Sequence, residues 1–151
     1  MTRKAIGLAT VTLHVKQYAD SDKIVHIDID QTATGGIKGT SERRKVNWEY
    51  LEHADHIFGE LKGRSRWVTI DLVDDDFLKL EWLDGEGEKG GPAGEHIMES
   101  WVEAKAGWTG RQIWGFAMVN GERRYTRRVV IAKGDEVLKI RMVYNWYGPE
   151  A

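Results

Sequence analysis

The sequence contains no cysteine, which excludes disulfide scaffolds and zinc sites built from thiolates. It has no apolar run near the roughly 20 residues that a membrane helix needs, and its first residues lack the pattern of a signal peptide. The formal net charge is only −2, so we expect no general attraction to nucleic acid or to anionic membranes. These absences predict a cytoplasmic protein without a membrane span, and nothing in the chain points to a cofactor.

Short runs of alternating apolar and polar residues fill most of the chain. Residues 10–18 and 24–31 alternate strictly and are separated by a turn-forming segment, which predicts a β-hairpin. Asn120-Gly121 is the strongest two-residue hairpin signal. In total we expect about nine strands at roughly 10-residue spacing, preceded by a short helix over Met1–Gly7. Because closure removes exposed strand edges, the sequence predicts one antiparallel β-barrel domain over residues 1–151.

Two further segments lie between the predicted hairpins. Residues 77–83 are predicted to form a strand, and residues 84–94 (DGEGEKGGPAG) a flexible loop, because they contain no apolar residue large enough to anchor them. His14 and His26 on the first hairpin lie near two aspartates and admit a metal site. A solvated outer face is the simpler interpretation for these histidines, and we expect no metal.

The run from Glu122 to Ala132 is unusually charged. At the strand period of two, one face is mostly polar, and the other carries Arg123, Tyr125, Arg127, Val129 and Ile131. We expect the second face to point inward and to take two guanidinium groups with it. Buried charge needs an internal acid, internal water or an anionic ligand. The sequence therefore leaves two main alternatives, a clamp for an anion or a closed ion pair with an internal acid, for which the family resemblance given below implies Glu99 as the partner of Arg127.

Aromatic and methionine side chains accompany these arginines. Trp114 and Phe116 share one face of the preceding strand, and Met142 and Tyr144 share one face of the following strand. We expect Trp101 to join them from the predicted strand at residues 96–105. A packed core is the common outcome for such a stripe, but a barrel of this many strands is also wide enough to hold a ligand. The composition favours a cavity for a flat or flexible apolar molecule.

Three segments resemble the fatty-acid-binding-protein-like and lipocalin-like proteins of the calycin group. They are residues 2–15 (TRKAIGLATVTLHV), Ile37-Lys38-Gly39-Thr40, and Gly134-Asp135 followed by Arg141-Met142-Val143-Tyr144. The resemblance implies an up-and-down calycin-type barrel of about nine to ten strands that begins after the family's first strand and helix. Of the family's ligand-binding residues only Tyr144 carries over. The family register also implies that Glu99 and Trp101 point inward.

Our main interpretation is intracellular binding and transport of a small hydrophobic ligand, such as a fatty acid or another apolar molecule with an acidic or polar head. The expected ligand-binding residues are Arg123, Tyr125, Arg127, Tyr144, Trp101, Trp114, Phe116, Met142 and Glu99. The alternative is a barrel enzyme, an isomerase, hydratase or cyclase, that uses general acid and base groups such as Glu99 and Tyr125 on an apolar substrate. A third hypothesis is a structural barrel whose unpaired edge joins two copies into a homodimer.

Overall fold

The computed structural model describes residues 11–33, 37–55 and 59–145. Its nine strands are β1 (Val11–Ala19), β2 (Val25–Ala33), β3 (Ile37–Lys45), β4 (Leu51–Asp55), β5 (Gly59–Val68), β6 (Ile97–Ala104), β7 (Thr109–Val119), β8 (Glu122–Lys133) and β9 (Glu136–Tyr144). Every strand pair is antiparallel, so the all-β antiparallel prediction is confirmed. The predicted helix over Met1–Gly7 lies outside the described residues. Among the described residues, no helix has the length and apolar character to cross a membrane.

The chain divides between Asn47 and Trp48 into two compact units. In the first unit, β1, β2 and β3 form a three-stranded sheet. Its first two strands are the hairpin predicted from the alternation, paired without a register shift. Ile27 and Ile29 on the central strand are buried, as the apolar face of a sheet should be. The single domain over residues 1–151 stays a prediction.

The second unit contains a six-stranded sheet in the order β4-β5-β6-β7-β8-β9. Asn120 and Gly121 form the tight turn between β7 and β8 with positive φ values of 52° and 78°, as the predicted two-residue hairpin requires. The register that this turn sets begins with Val119 opposite Glu122 and runs without a shift along both strands. This hairpin therefore fixes which side chains of β7 and β8 share a face.

One face of the six-stranded sheet carries an apolar core, and we call it the core face. Val68, Ile97 and Ile113 come from β5, β6 and β7 and pack with Val73 and Leu78 from the connection between β5 and β6. Each of these five side chains is at most 1% exposed. Burial of this kind contributes roughly 1.5–3 kcal/mol for each large aliphatic side chain, so the connection and the sheet stabilise each other.

The connection between β5 and β6 corrects one strand prediction. Residues 77–83 form turns rather than a strand, with one isolated bridge between Trp82 and Ala117. Asp75 causes the difference, because its side chain accepts a hydrogen bond from the Leu78 backbone N–H (3.0 Å) and its carbonyl accepts one from Lys79 (3.0 Å). These local bonds wind the backbone and replace the ladder bonds of a strand.

The predicted closed barrel is wrong for the described residues, in which neither sheet closes on itself. An up-and-down barrel needs each strand to pair with the next one along the chain, but β3 and β4 belong to different sheets. Between them Trp48 adopts a φ of 61°, and its N–H donates to the carbonyl of Ser65 on β5 (2.8 Å). The backbone leaves the extended conformation there, so the ladder does not continue. The homodimer through an unpaired edge stays a prediction.

Candidate functional site

The face of the six-stranded sheet opposite the core face gathers aromatic side chains around arginines. The register pairs Trp114 with Arg127 and Arg127 with Met142, and it pairs Phe116 with Tyr125 and Tyr125 with Tyr144. Directly paired residues point to the same side of a sheet. We call this set the aromatic–arginine face, and its members are Trp114, Phe116, Arg123, Tyr125, Arg127, Met142 and Tyr144. The prediction that these residues share a face is confirmed, and their contact with a ligand stays a prediction.

Arg127 is the buried cation of the aromatic–arginine face, with 3% of its surface exposed. Its guanidinium carbon lies 4.0 Å from the ring centroid of Trp114, and its Nε donates a hydrogen bond to the Tyr125 hydroxyl (3.0 Å). The ring of Tyr125 packs against those of Tyr144 and Phe116, with centroids 5.4 and 5.9 Å apart. A desolvated cation–π contact contributes about 2 kcal/mol. The guanidinium is therefore held in place among half-buried rings.

Arg123 lies at the exposed end of this face and is not enclosed as predicted. Its side chain is 48% exposed, and its guanidinium carbon lies 3.6 Å from the ring centroid of Phe116. It donates two hydrogen bonds to the carboxylate of Glu88, at 2.9 and 2.7 Å, and these bonds hold the pKa of Glu88 below its usual value. Glu88 belongs to the loop predicted to lack an anchor, so an ion pair supplies the anchor that apolar residues do not.

Glu99 and Trp101 do not join the aromatic–arginine face, and the predicted ion pair between Glu99 and Arg127 is wrong. The register between β6 and β7 pairs Met98 with Trp114. Since neighbouring residues of a strand point to opposite faces, Glu99 and Trp101 lie on the core face. The first four residues of β6 are all buried, with Glu99 at 2% exposure and Met98 also at 2%. The two faces of a strand are normally inferred from alternating buried and exposed residues, and these four residues do not alternate.

On the core face, Glu99 is shared by two arginines. Its two carboxylate oxygens accept hydrogen bonds from the Nε atoms of Arg66 (2.8 Å) and Arg111 (2.7 Å). Arg111 also donates to Asp74 (2.5 Å), and this bond lowers the pKa of the Asp74 carboxyl. A carboxylate engaged on both oxygens by guanidinium groups makes two charge-assisted hydrogen bonds. The arrangement suits a structural ion pair better than a proton donor.

The remaining part of the aromatic–arginine side of the sheet holds further residues that are absent from the predicted site. Trp67 on β5 lies opposite Met98 on β6. The indole Nε1 of Trp67 and the Oε1 of Gln112 are buried, and the described residues give neither of them a hydrogen-bond partner. Gln112 shares its face with Trp114 by strand parity, so its position was predictable. Met98 was missed because the parity of β6 was inferred the wrong way round, and Trp67 was missed because the sequence analysis assigned no faces to its strand.

The two histidines of the first hairpin have separate partners. His14 Nε2 lies 3.1 Å from Thr32 Oγ1, and His26 Nε2 lies 2.8 Å from Asp20 Oδ2. The contact with His26 lowers the pKa of Asp20. Within the described ranges, no three His, Asp or Glu side chains come together in the way that metal ligands do.

Comparison with curated proteins identifies relatives that span nearly the whole chain. A pericyclase of Acremonium sp, pydY, is 30% identical over 151 residues, which are 99% of this chain and 78% of that protein. The chain belongs to the family of this pericyclase. A probable pericyclase of Mollisia scopiformis, scpY, is 27% identical over 152 residues, 99% of this chain and 77% of that protein. No family model and no solved structure matches the chain, and the calycin resemblance stays a prediction.

The pericyclase relatives correct the main functional interpretation. Lipid binding and transport are wrong as the function of this chain, because its relatives are named as enzymes that catalyse a reaction. The enzyme alternative agrees with them better. Its proposed acid and base do not lie together, however, since Glu99 is on the core face and Tyr125 on the aromatic–arginine face. The pericyclase family therefore requires a different account of how these residues act.

Proposed function

We propose that this chain is a pericyclase and that its substrate lies against the aromatic–arginine face. Two relatives named as a pericyclase and a probable pericyclase support the reaction class, each covering 99% of the chain. The observation that carries the location is Arg127, a cation with 3% exposure stacked 4.0 Å from Trp114. It is a fixed hydrogen-bond donor group surrounded by apolar rings, which suits a polar group attached to a conjugated body.

A pericyclic ring closure makes modest chemical demands on a protein. Within one molecule, π bonds are converted into σ bonds in a single concerted step, so no atom leaves and no proton has to be moved. The enzyme can then act in two ways. It can hold a flexible substrate in the folded conformation that reacts, and it can stabilise the charge separation that develops as the new bonds form. Neither way requires a general acid or base.

The residues of the aromatic–arginine face suit these two tasks. Phe116 and Tyr144 are partly exposed and offer flat apolar surfaces against which a conjugated chain can pack in a compact conformation. Arg127 donates hydrogen bonds to a carbonyl conjugated with the reacting π system, drawing electron density toward the oxygen in the transition state. Burial strengthens this effect, because water does not screen the guanidinium. Tyr125 positions Arg127 through the hydrogen bond from its Nε.

The proposal is tested by ring closure itself. The chain is incubated with the substrate of pydY and, separately, with a trienone in which a terminal enone and a diene are joined by three methylene groups. Chromatography with mass spectrometry and absorbance then measures a product of unchanged mass that has lost the conjugated absorbance. We expect the chain to accelerate closure of at least the pydY substrate above the rate in buffer. The absence of acceleration with both compounds would contradict the proposal.

Two matched variants locate the site. Arg127→Met keeps an unbranched side chain in the same place but removes the donors, and we expect the rate to fall about 10²- to 10³-fold, as for the loss of one transition-state hydrogen bond. Arg124→Met changes an arginine of the same strand that points to the other face and pairs with Glu122, and its rate should match that of the unaltered chain. Equal rates for the two variants would place the reaction elsewhere.

A further inference from the structure

A second recess lies on the other side of the six-stranded sheet. It is a cleft of about 330 Å³ on the core face, beside the apolar core. Its walls come from the segment before β4, from β5, β6 and β7, and from the connection that follows β5. They include Trp48, Arg64, Arg66, Asp74, Glu99 and Arg111. Ligand pockets in proteins span about 300–1,000 Å³, so this cleft is large enough for a small organic molecule.

Two of the three arginines in the cleft are engaged by carboxylates. Glu99, with its side chain 3% exposed, forms ion pairs with Arg66 (2.8 Å) and Arg111 (2.7 Å). Asp74 adds a second carboxylate to Arg111 at 2.5 Å. The charges of these four side chains sum to zero, because two are positive and two are negative. They form a charged floor beside the third arginine of the cleft.

Arg64 is that third arginine. Its guanidinium carbon lies 4.0 Å from the ring centroid of Trp48 and 4.7 Å from that of Tyr50. Within the described ranges it makes no ion pair, and its buried Nε has no hydrogen-bond acceptor. The nearby carboxylate of Glu103 instead accepts hydrogen bonds from Tyr50 (2.6 Å) and Trp101 (3.0 Å). The two rings thus hold a guanidinium that the described carboxylates leave without an ion pair.

We propose that this cleft is a second ligand site, which binds a monoanionic carboxylate on a small flat conjugated body. Among the described residues no carboxylate forms an ion pair with this guanidinium, and its planar fork of N–H donors matches the two oxygens of a carboxylate. Trp101 and Leu72 also line the cleft and provide apolar surface for the body of the ligand. The proposal does not depend on the proposed pericyclase activity, because the two sites use opposite faces of the sheet and different arginines.

The test is a titration of the full chain with naphthoate, followed by calorimetry and by tryptophan fluorescence. Naphthamide, which has the same rings and no charge, is the matched control ligand. We expect one naphthoate to bind per chain at millimolar concentration or below, and naphthamide to bind roughly tenfold more weakly or worse, since a charge-assisted bond is lost. No binding of naphthoate at millimolar concentration, or equal binding of the amide, would overturn the proposal.

Variants assign the binding to the cleft. Arg64→Gln should weaken naphthoate binding roughly tenfold or more, and Arg64→Lys, which keeps the charge but loses the planar fork, should weaken it less. Arg124→Gln and Arg127→Met should bind as the unaltered chain does. Circular dichroism and urea unfolding check that each variant is folded. If Arg64→Gln does not fold, the affinity of Arg64→Lys for naphthoate decides whether Arg64 takes part in binding. Unchanged binding by a folded Arg64 variant, or loss of binding in Arg127→Met, would overturn this site.

Discussion

Replacing Glu99 with Gln should lower the free energy of unfolding by about 3 kcal/mol. The carboxylate is 2% exposed and accepts hydrogen bonds from Arg66 and Arg111 at 2.8 and 2.7 Å. Removing one partner of a buried ion pair costs about 3–5 kcal/mol. We expect the low end of that range, because Arg66 is 37% exposed and regains water, while Arg111 keeps its contact with Asp74.

Double-mutant cycles test the geometry behind this number. Coupling between Glu99→Gln and Arg111→Gln should reach about 2 kcal/mol, as expected for residues in direct contact. Coupling between Glu99→Gln and Arg127→Met should stay below about 0.5 kcal/mol, because the two side chains lie on opposite faces of the sheet. Urea unfolding followed by tryptophan fluorescence measures each free energy. The single Glu99 variant should also lose roughly 6–12 °C in melting temperature.

The opposite pattern of coupling would refute this arrangement. If Glu99 coupled more strongly with Arg127 than with Arg111, β6 would have to be shifted by one residue relative to β7, which exchanges the faces of every side chain on the strand. Glu99 would then lie beside the proposed active site. An unchanged stability of the Glu99 variant would equally show that the carboxylate is not held as described.

Two further predictions concern packing and the loop. Gly115→Ala should destabilise the chain by about 1–3 kcal/mol, because a Cβ at this position would lie 2.8 Å from Ile97 Cγ2. Gly110→Ala in the same strand is the control, because its Cβ would meet no atom nearer than 3.6 Å. Urea unfolding should show the Gly110 variant to be as stable as the unaltered chain or slightly more stable. The hydrogen bond from Arg123 lowers the pKa of Glu88 in the folded chain. The ion pair therefore stabilises the loop at pH values above the pKa that Glu88 has in the unfolded chain. This stabilisation is lost as the pH falls through the pKa of Glu88 in the folded chain. The hydrogen-exchange protection factors around Glu88, each taken relative to the intrinsic exchange rate at the same pH, should therefore fall in acid. Glu88→Gln should show low protection at neutral pH, and unchanged protection in this variant would contradict the anchor.

The side-chain faces of β7 and β8 could be read from the sequence because one turn fixes them. Asn120 and Gly121 permit the positive φ values of a two-residue hairpin, and no bulge interrupts the ladder behind them. Counting in twos from that turn places Trp114 beside Arg127, as the structure does. The period of two is reliable where a tight turn sets its starting point.

The faces of β6 could not be read in the same way. Glu99 and Ser100 are adjacent, polar and both buried, at 2% and 0% exposure. Each is satisfied by a partner distant in sequence, Glu99 by Arg66 and Ser100 by the hydroxyl of Ser65 at 2.7 Å. Hydrophobic alternation contains no information about such long-range pairing, and the family register supplied the wrong parity instead.

The reaction class was harder to predict than the residues, and the chemistry explains why. A nucleophile, a proton relay or a metal leaves a recognisable set of side chains, but a concerted ring closure needs none of these. The active site that we propose for it consists of flat apolar walls and one well-placed donor, which also describes a site that binds an apolar acid without changing it. Trp114 and Arg127 therefore fit both interpretations equally well as residues. An enzyme differs from a binding protein in holding its ligand in a conformation close to the transition state. That conformation depends on the substrate as well as on the aromatic–arginine face.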